Sequence, residues 1–118
     1  MTPDAGNTLS KAERISSKRD ISRLLSNGRW GSCDGVKYCI FSPNGLEFNR
    51  ILVSVPKKHF KRAVKRNLLK RRIREAYRTQ KALCQNSGAD ILLQYDSDEI
   101  LPFSAIRDTV ASILKLVK

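Results

Sequence analysis

The chain of 118 residues has no apolar run approaching the roughly 20 residues that a membrane-spanning helix needs, so no helical span is expected. Its first eight residues, Met1-Thr-Pro-Asp-Ala-Gly-Asn-Thr, lack the basic start and apolar stretch of a signal peptide. They read as a mobile tail over 1–8, with one domain over 9–118. Cysteine is scarce: Cys33, Cys39 and Cys84 are odd in number and show no Cys-x-x-Cys spacing. A disulfide framework is therefore not expected, and free thiols in a reducing, cytoplasmic setting are the economical reading. His59 is the only histidine and has no second ligand at metal spacing, so no protein-bound metal is expected. No nucleophile and base stand at a recognisable spacing, and no catalytic residue is assigned. Acidic residues are also few, 11 against 23 Lys and Arg, which leaves a net charge of +12.

That surplus is concentrated. Residues 57–81 hold twelve basic side chains against the single acid Glu75, while the rest of the chain holds eleven basic and ten acidic. Cations packed into one segment build a local field of several kT, and such a field recruits polyanions, nucleic acid above all.

Local patterns give the order of elements. Ser17-Lys-Arg-Asp20 is a capping box before Ile21, Leu24 and Leu25, with Gly28 as the stop, and predicts a short helix. Trp30 to Gly35 reads as turn-rich. Val36 to Phe41 and Arg50 to Val55 read as strands joined as a hairpin with an enlarged loop, the second closed by Pro56 and covered on both faces. A long basic helix is expected from about Arg62 to Leu83, ended by Asn86-Ser-Gly88. A strand over Asp90 to Tyr95 and a helix opening at Pro102 complete an α-β-β-α-β-α order. This order predicts a single-domain α/β (α+β) sandwich with helices on a sheet of three or four strands.

On a helical wheel Leu69, Ile73, Ala76 and Tyr77 form a stripe wide enough to dock on a sheet. Asn67, Lys70, Arg71, Arg74, Arg78 and Lys81 share another arc, with Arg66 at its margin and Lys65 and Arg72 flanking the apolar stripe. A solvated helix laced with i,i+4 ion pairs is the ordinary explanation of such a face. It fails here because Glu75 is the only acid, and unpaired like charges at this spacing cost a few tenths of a kcal/mol each. Arginine can grip a phosphate bidentately, and the Asn67 amide can donate and accept at a base or sugar.

Ala63-Val-Lys-Arg-Asn-Leu-Leu-Lys-Arg-Arg-Ile-Arg-Glu75 closely resembles the signature of the bacterial ribonuclease P protein subunit, A-V-x-R-N-R-x-K-R-x-x-R-E. Ser54-Val-Pro-Lys-Lys58 just before it fits the same pattern, and the resemblance extends from about Leu9 to Lys118. It implies a ribosomal-protein-S5-like sandwich with a left-handed βαβ crossover, where sheet geometry alone favours the right-handed one. It further implies a protein cofactor of a catalytic RNA that removes the 5′ leader from precursor tRNA, with Mg²⁺ held through the RNA. The partners would be the ribonuclease P RNA and leader-bearing precursor tRNA, with neither membrane nor DNA.

Carried over by position, the RNA-binding residues of the signature helix are Arg62, Lys65, Arg66, Asn67, Lys70, Arg71, Arg74 and Arg78. A leader cleft would use Ile21, Leu25, Tyr38, Phe41, Lys57 and Lys58, aromatics to stack and lysines to follow the backbone. All four of its apolar members also fit an ordinary core role. The chain departs from the pattern at Leu68, where the family has arginine, and at Ile21 and Leu25, where it has first-helix aromatics. Lys61-Arg62 stands where the family has a small glycine. A general structured-RNA-binding module is the alternative, and a DNA-binding helix or a protein-only nuclease are more distant ones. No helix-turn-helix spacing precedes the basic helix.

Overall fold

In the computed structural model, which describes residues 11–117, the chain enters its first α-helix where the capping box predicts. Ser17 is the N-cap of α1 (Lys18–Asn27), and its hydroxyl accepts from the Asp20 N–H at 3.4 Å. The Gly28 N–H closes the helix on the Leu24 carbonyl at 2.8 Å. The tail expected over 1–8 lies outside the described residues.

The next segment corrects the turn-rich reading. Residues Arg29–Cys33 form strand β1, paired antiparallel with β2 (Val36–Phe41). The turn is confined to Asp34 and Gly35, with φ of 42° and 86°. Positive φ at both central residues suits the right-handed twist of a two-residue hairpin, for which Asp-Gly is a favoured pair. Strand β3 (Arg50–Ser54), helix α2 (Ala63–Gln80), strand β4 (Asp90–Tyr95) and helix α3 (Phe103–Leu114) follow. Short 3₁₀ turns at Lys11–Glu13 and Lys81–Leu83 precede α1 and extend α2.

The sheet order is β1-β2-β4-β3, with β4 antiparallel to β2 and parallel to β3. The hairpin expected between β2 and β3 therefore does not exist, because β4 lies between them. Burial explains the choice. Ile91, Leu92 and Leu93 are all buried, and a continuous apolar strand belongs at the centre of a sheet covered on both sides. In β3 only Ile51 is buried, which suits an edge. Arg14 bridges to Ile51 on that edge, with the Ile15 N–H on the Ile51 carbonyl at 2.9 Å. The result is a mixed α+β domain in which α2 links two parallel neighbours.

Side chains alternate across the sheet. Val36, Ile40, Ile51, Ile91, Leu93 and Tyr95 join the main core with Leu69, Ile73 and Tyr77 of α2 and Ile106, Val110 and Ile113 of α3. On the opposite face Cys39 and Leu92 pack with Ile15 and Leu24 in a smaller cluster, flanked by Ile21, Phe41 and Leu52. Among the described residues, α1 is the helix that covers that face.

Candidate nucleic-acid interface

The wheel is realised in α2. Leu69, Ile73, Ala76 and Tyr77 are buried, which fixes the opposite side of the helix toward solvent. There Asn67 and Arg71 are exposed, and Lys70, Arg74 and Arg78 are half-buried. Arg62 is the N-cap, with no side-chain cap bond, and Lys65 is exposed one turn on. Among the described residues, Lys70, Arg71 and Arg74 have no ion-pair partner. The positive end of the helix dipole adds to the cations gathered at the first turn.

Other cations of this helix hold the fold. Arg78 pairs with Glu75, and Lys81 reaches Glu13 at 3.0 Å, tying the end of α2 to the segment before α1. Arg72 donates to the Leu101 carbonyl at 2.7 Å. Arg66 departs from its place at the margin of the cation arc. It stands two turns before Ile73, on the core side, and its guanidinium donates to the Phe60 and Lys61 carbonyls at 2.8 and 2.7 Å. The loop that starts the helix is thereby fixed to its first turn.

A groove of about 640 Å³ opens along the outer face, lined by Leu68, Phe103, Glu75 and the arginines 14, 71, 72, 74 and 78. Burial, reinforced by the nearby Arg14 cation, pulls the Arg74 pKa below its ordinary value. Two like charges in one groove make a place where an anion relieves repulsion, although Glu75 also lines it. Arg14 was not legible as part of this site, because it lies far from the signature in sequence and arrives through its bridge to β3.

The α1 side of the sheet brings together Ile21 and Phe41, both half-buried, while Leu25, one turn after Ile21 on α1, is 39% exposed and outside that cluster. The Arg23 guanidinium lies over the Phe41 ring, 5.1 Å from its centroid. Lys57 and Lys58 are exposed in the loop after β3. Tyr38 does not join them. Strand alternation turns it to the α2/α3 face, and its ring lies across Gly31, where an added Cβ would collide with it. Cys39 takes the cleft-side position instead, buried and donating to the Leu24 carbonyl at 3.4 Å. Burial pushes its thiol pKa up.

A buried charge network sets the position of α1. Asp90, fully buried, accepts from Arg50 Nε and Nη2 at 2.9 and 2.8 Å and from Asn44 Nδ2 at 2.9 Å. Arg50 also donates to Asp20 of α1 at 3.1 Å, and Arg23 lies 3.7 Å from Asp90. The Asp90 hydrogen bonds push the Arg50 pKa up against the opposing effect of burial. His59 sits between Asp98 and Asp96 at 2.5 and 3.2 Å, joining the loop before α2 to the loop after β4. Cys33, Cys39 and Cys84 are free thiols. Among the described residues no group of three or more His, Cys, Asp or Glu is arranged to hold a metal ion, and no helix is long and apolar enough to cross a membrane.

Comparison with known proteins agrees with this geometry. The Ribonuclease P family profile matches residues 9–118. A "Ribonuclease P protein component" from Porphyromonas gingivalis is 34% identical over 110 residues, covering 92% of this chain and 77% of the relative. The RNase P protein of Thermotoga maritima superposes with a TM-score of 0.78 at 25% identity, covering 90% of this chain and 98% of that one. The Staphylococcus aureus RNase P protein gives 0.77 at 25% identity, covering 90% and 95%. By its signature helix, its sheet order and its similarity over nearly the whole length, this chain belongs to the ribonuclease P protein family.

Proposed function

We propose that this chain works at a junction between two RNAs, with the α2 cations on the ribonuclease P RNA and the α1 side of the sheet on the 5′ leader of precursor tRNA. As a ribonuclease P protein it is the RNA-binding subunit of a ribonucleoprotein endoribonuclease in tRNA 5′ processing. The observation that carries the finer reading is the row Lys70, Arg71 and Arg74. These cations lie on the solvent side of a helix whose other side is buried, with no ion-pair partner among the described residues. Each can neutralise a phosphate and release a counterion. Asn67 adds a donor and acceptor beside them. Arg62 and Lys65 bring further charge to the first turn, and Arg78 extends the row to the fourth. Arg66 acts as a positioning residue, holding the loop from which Lys61 and Arg62 project.

On the sheet side, Phe41, Ile21 and Leu25 supply apolar contact for unpaired bases, with Lys57 and Lys58 at the rim for phosphates. The hydrolysis belongs to the RNA. Mg²⁺ bound by the RNA would supply the Lewis-acid chemistry there. The protein lowers repulsion where the RNAs approach, so less metal is needed for the same occupancy. A cytoplasmic setting follows from the substrate and suits three free thiols.

The test is cleavage of a precursor tRNA by a bacterial ribonuclease P RNA at low Mg²⁺, with and without the protein, plus a protein-only control. Cleavage at the mature 5′ end only when both are present is the expected result. Binding without rescue would return the chain to general structured-RNA binding. Chelator-sensitive cleavage by protein alone would place the chemistry in the protein.

A further inference from the structure

We infer that a single strand bound on the α1 side of the sheet continues to the outer edge of β1, where one of its bases stacks on the indole of Trp30. This rests on the leader-binding reading of that face and assigns it a residue outside the cleft set. The register of the sheet carries the argument. Trp30 pairs with Cys39, Cys39 with Leu92 and Leu52 with Leu92, so these four form one row on the α1 face. Within this row, α1 buries Cys39 and Leu92 beneath Leu24 and leaves Trp30 45% exposed at the edge.

The next row is Ser32, Lys37, Gln94 and Ser54, one residue from each strand in the same face. All four are polar, and none is buried. A polar row crossing four strands beside a helix is a floor with one wall. It runs from Ser32 on the edge strand, one row from Trp30, through Lys37 and Gln94 to Ser54, and Lys57 and Lys58 follow Ser54 by three and four residues.

Trp30 is held in place. Its Nε1 donates to the Leu25 carbonyl at 3.2 Å, which satisfies the polar end of the ring. The Lys37 ammonium lies 5.0 Å from the ring centroid, where it can turn to a phosphate as a base arrives. The charge of the surroundings matches a polyanion. Between Lys18 and Phe41 there are five basic residues and two acidic ones, and one of the acids, Asp20, is engaged by Arg50 and Arg23. An aromatic face with an adjoining cation is the arrangement by which proteins hold single strands without reading sequence. The alternative is that Trp30 only seals the edge of the α1 packing.

Trp30 is the only tryptophan, so intrinsic fluorescence reports on it alone. The holoenzyme, assembled with ribonuclease P RNA, is titrated with leader-bearing precursor tRNA and with mature tRNA. Quenching by the first and not the second is expected. Trp30→Ala should weaken leader-bearing tRNA roughly tenfold, within the range of base–aromatic stacking, and leave mature tRNA and RNA-subunit affinities unchanged. Trp30→Phe should recover part of the loss. No quenching, or equal loss for both tRNAs, overturns the inference and makes Trp30 an edge seal. If leader preference persists in Trp30→Ala but is lost in Phe41→Ala, only the Trp30 contact falls. If the wild-type holoenzyme shows no leader preference at all, the leader reading falls and the Trp30 contact with it.

Discussion

Replacing Asp90 by alanine should be among the most damaging single changes in the molecule. The carboxylate is fully buried and serves both Arg50 and Asn44 at 2.8–2.9 Å, while the Arg50 side chain is itself only 12% exposed. Alanine leaves that guanidinium facing a low-dielectric gap, with the Asp20 contact at 3.1 Å as its remaining ion pair. Breaking a buried pair on one side costs about 3–5 kcal/mol, most of it the penalty of the orphaned charge. Folded domains hold only about 5–15 kcal/mol in reserve, so the melting temperature should fall by roughly 10–20 °C.

The assay is urea denaturation followed by circular dichroism, with wild type, Asp90→Ala, Arg50→Met and the double variant. The double variant should lose less than the sum of the singles, because removing Arg50 removes the unpaired charge. A loss below about 1 kcal/mol for Asp90→Ala, or strict additivity in the double variant, would refute the network as the element that fixes α1.

The other predictions concern the interface and the pH range. Lys70→Ala, Arg71→Ala and Arg74→Ala should each weaken binding to ribonuclease P RNA and lower the salt slope by roughly one unit for each phosphate no longer neutralised, measured by filter binding across ionic strengths. Arg66→Ala should weaken the same binding but also lower stability, since its two bonds go to the Phe60 and Lys61 carbonyls; a purely electrostatic loss with unchanged denaturation would contradict its positioning role. Phe41→Ala should weaken leader-bearing tRNA far more than mature tRNA, and equal weakening in a competition assay would make Phe41 a core residue. Burial pushes the Cys84 thiol up from 9.0 to about 11 and also raises Tyr77. Both are neutral groups that ionise more readily in the unfolded chain, so stability should be full below pH 9 and fall as the pH rises toward about 11. Denaturant midpoints across that range test this, and Cys84→Ala should fall less steeply than wild type.

Much of the site was legible because its signal is local. The buried stripe of α2 is a matter of 3.6-residue periodicity, and its cations follow on the other side once Leu69, Ile73 and Tyr77 are placed. The capping box of α1 was equally readable, since Ser17 and Asp20 act within one turn. What failed was long-range or depended on a single dipeptide. Asp34-Gly35 is the hairpin signal, hidden between a glycine-containing β1 and a β2 whose Tyr38 covers that glycine. The insertion of β4 between β2 and β3 is decided by competition for the most buried position, which no segment shows alone. Arg66 is misplaced when the first turn is treated as generic surface, although a spacing of seven from Ile73 puts it on the core side. Arg14 and Trp30 reach the site through strand pairing, and Asp90 meets Arg50 and Asn44 across 40 and 46 residues of chain.

The unpaired cation row has a consequence for the chain when it is alone. Its repulsion is relieved by phosphate or sulfate, so the free protein should gain stability from the same salts that weaken its hold on RNA. The two dependences have opposite signs and can be followed on one preparation. RNA partner at a hundredfold excess over Kd adds about 2.7 kcal/mol to the folded state. Changes of that size alter cellular abundance several-fold through proteolysis of the unfolded fraction. Copies made in excess of the RNA lack that stabilisation and should be the first to be cleared, which a pulse-chase of the protein with and without co-expressed RNA would show.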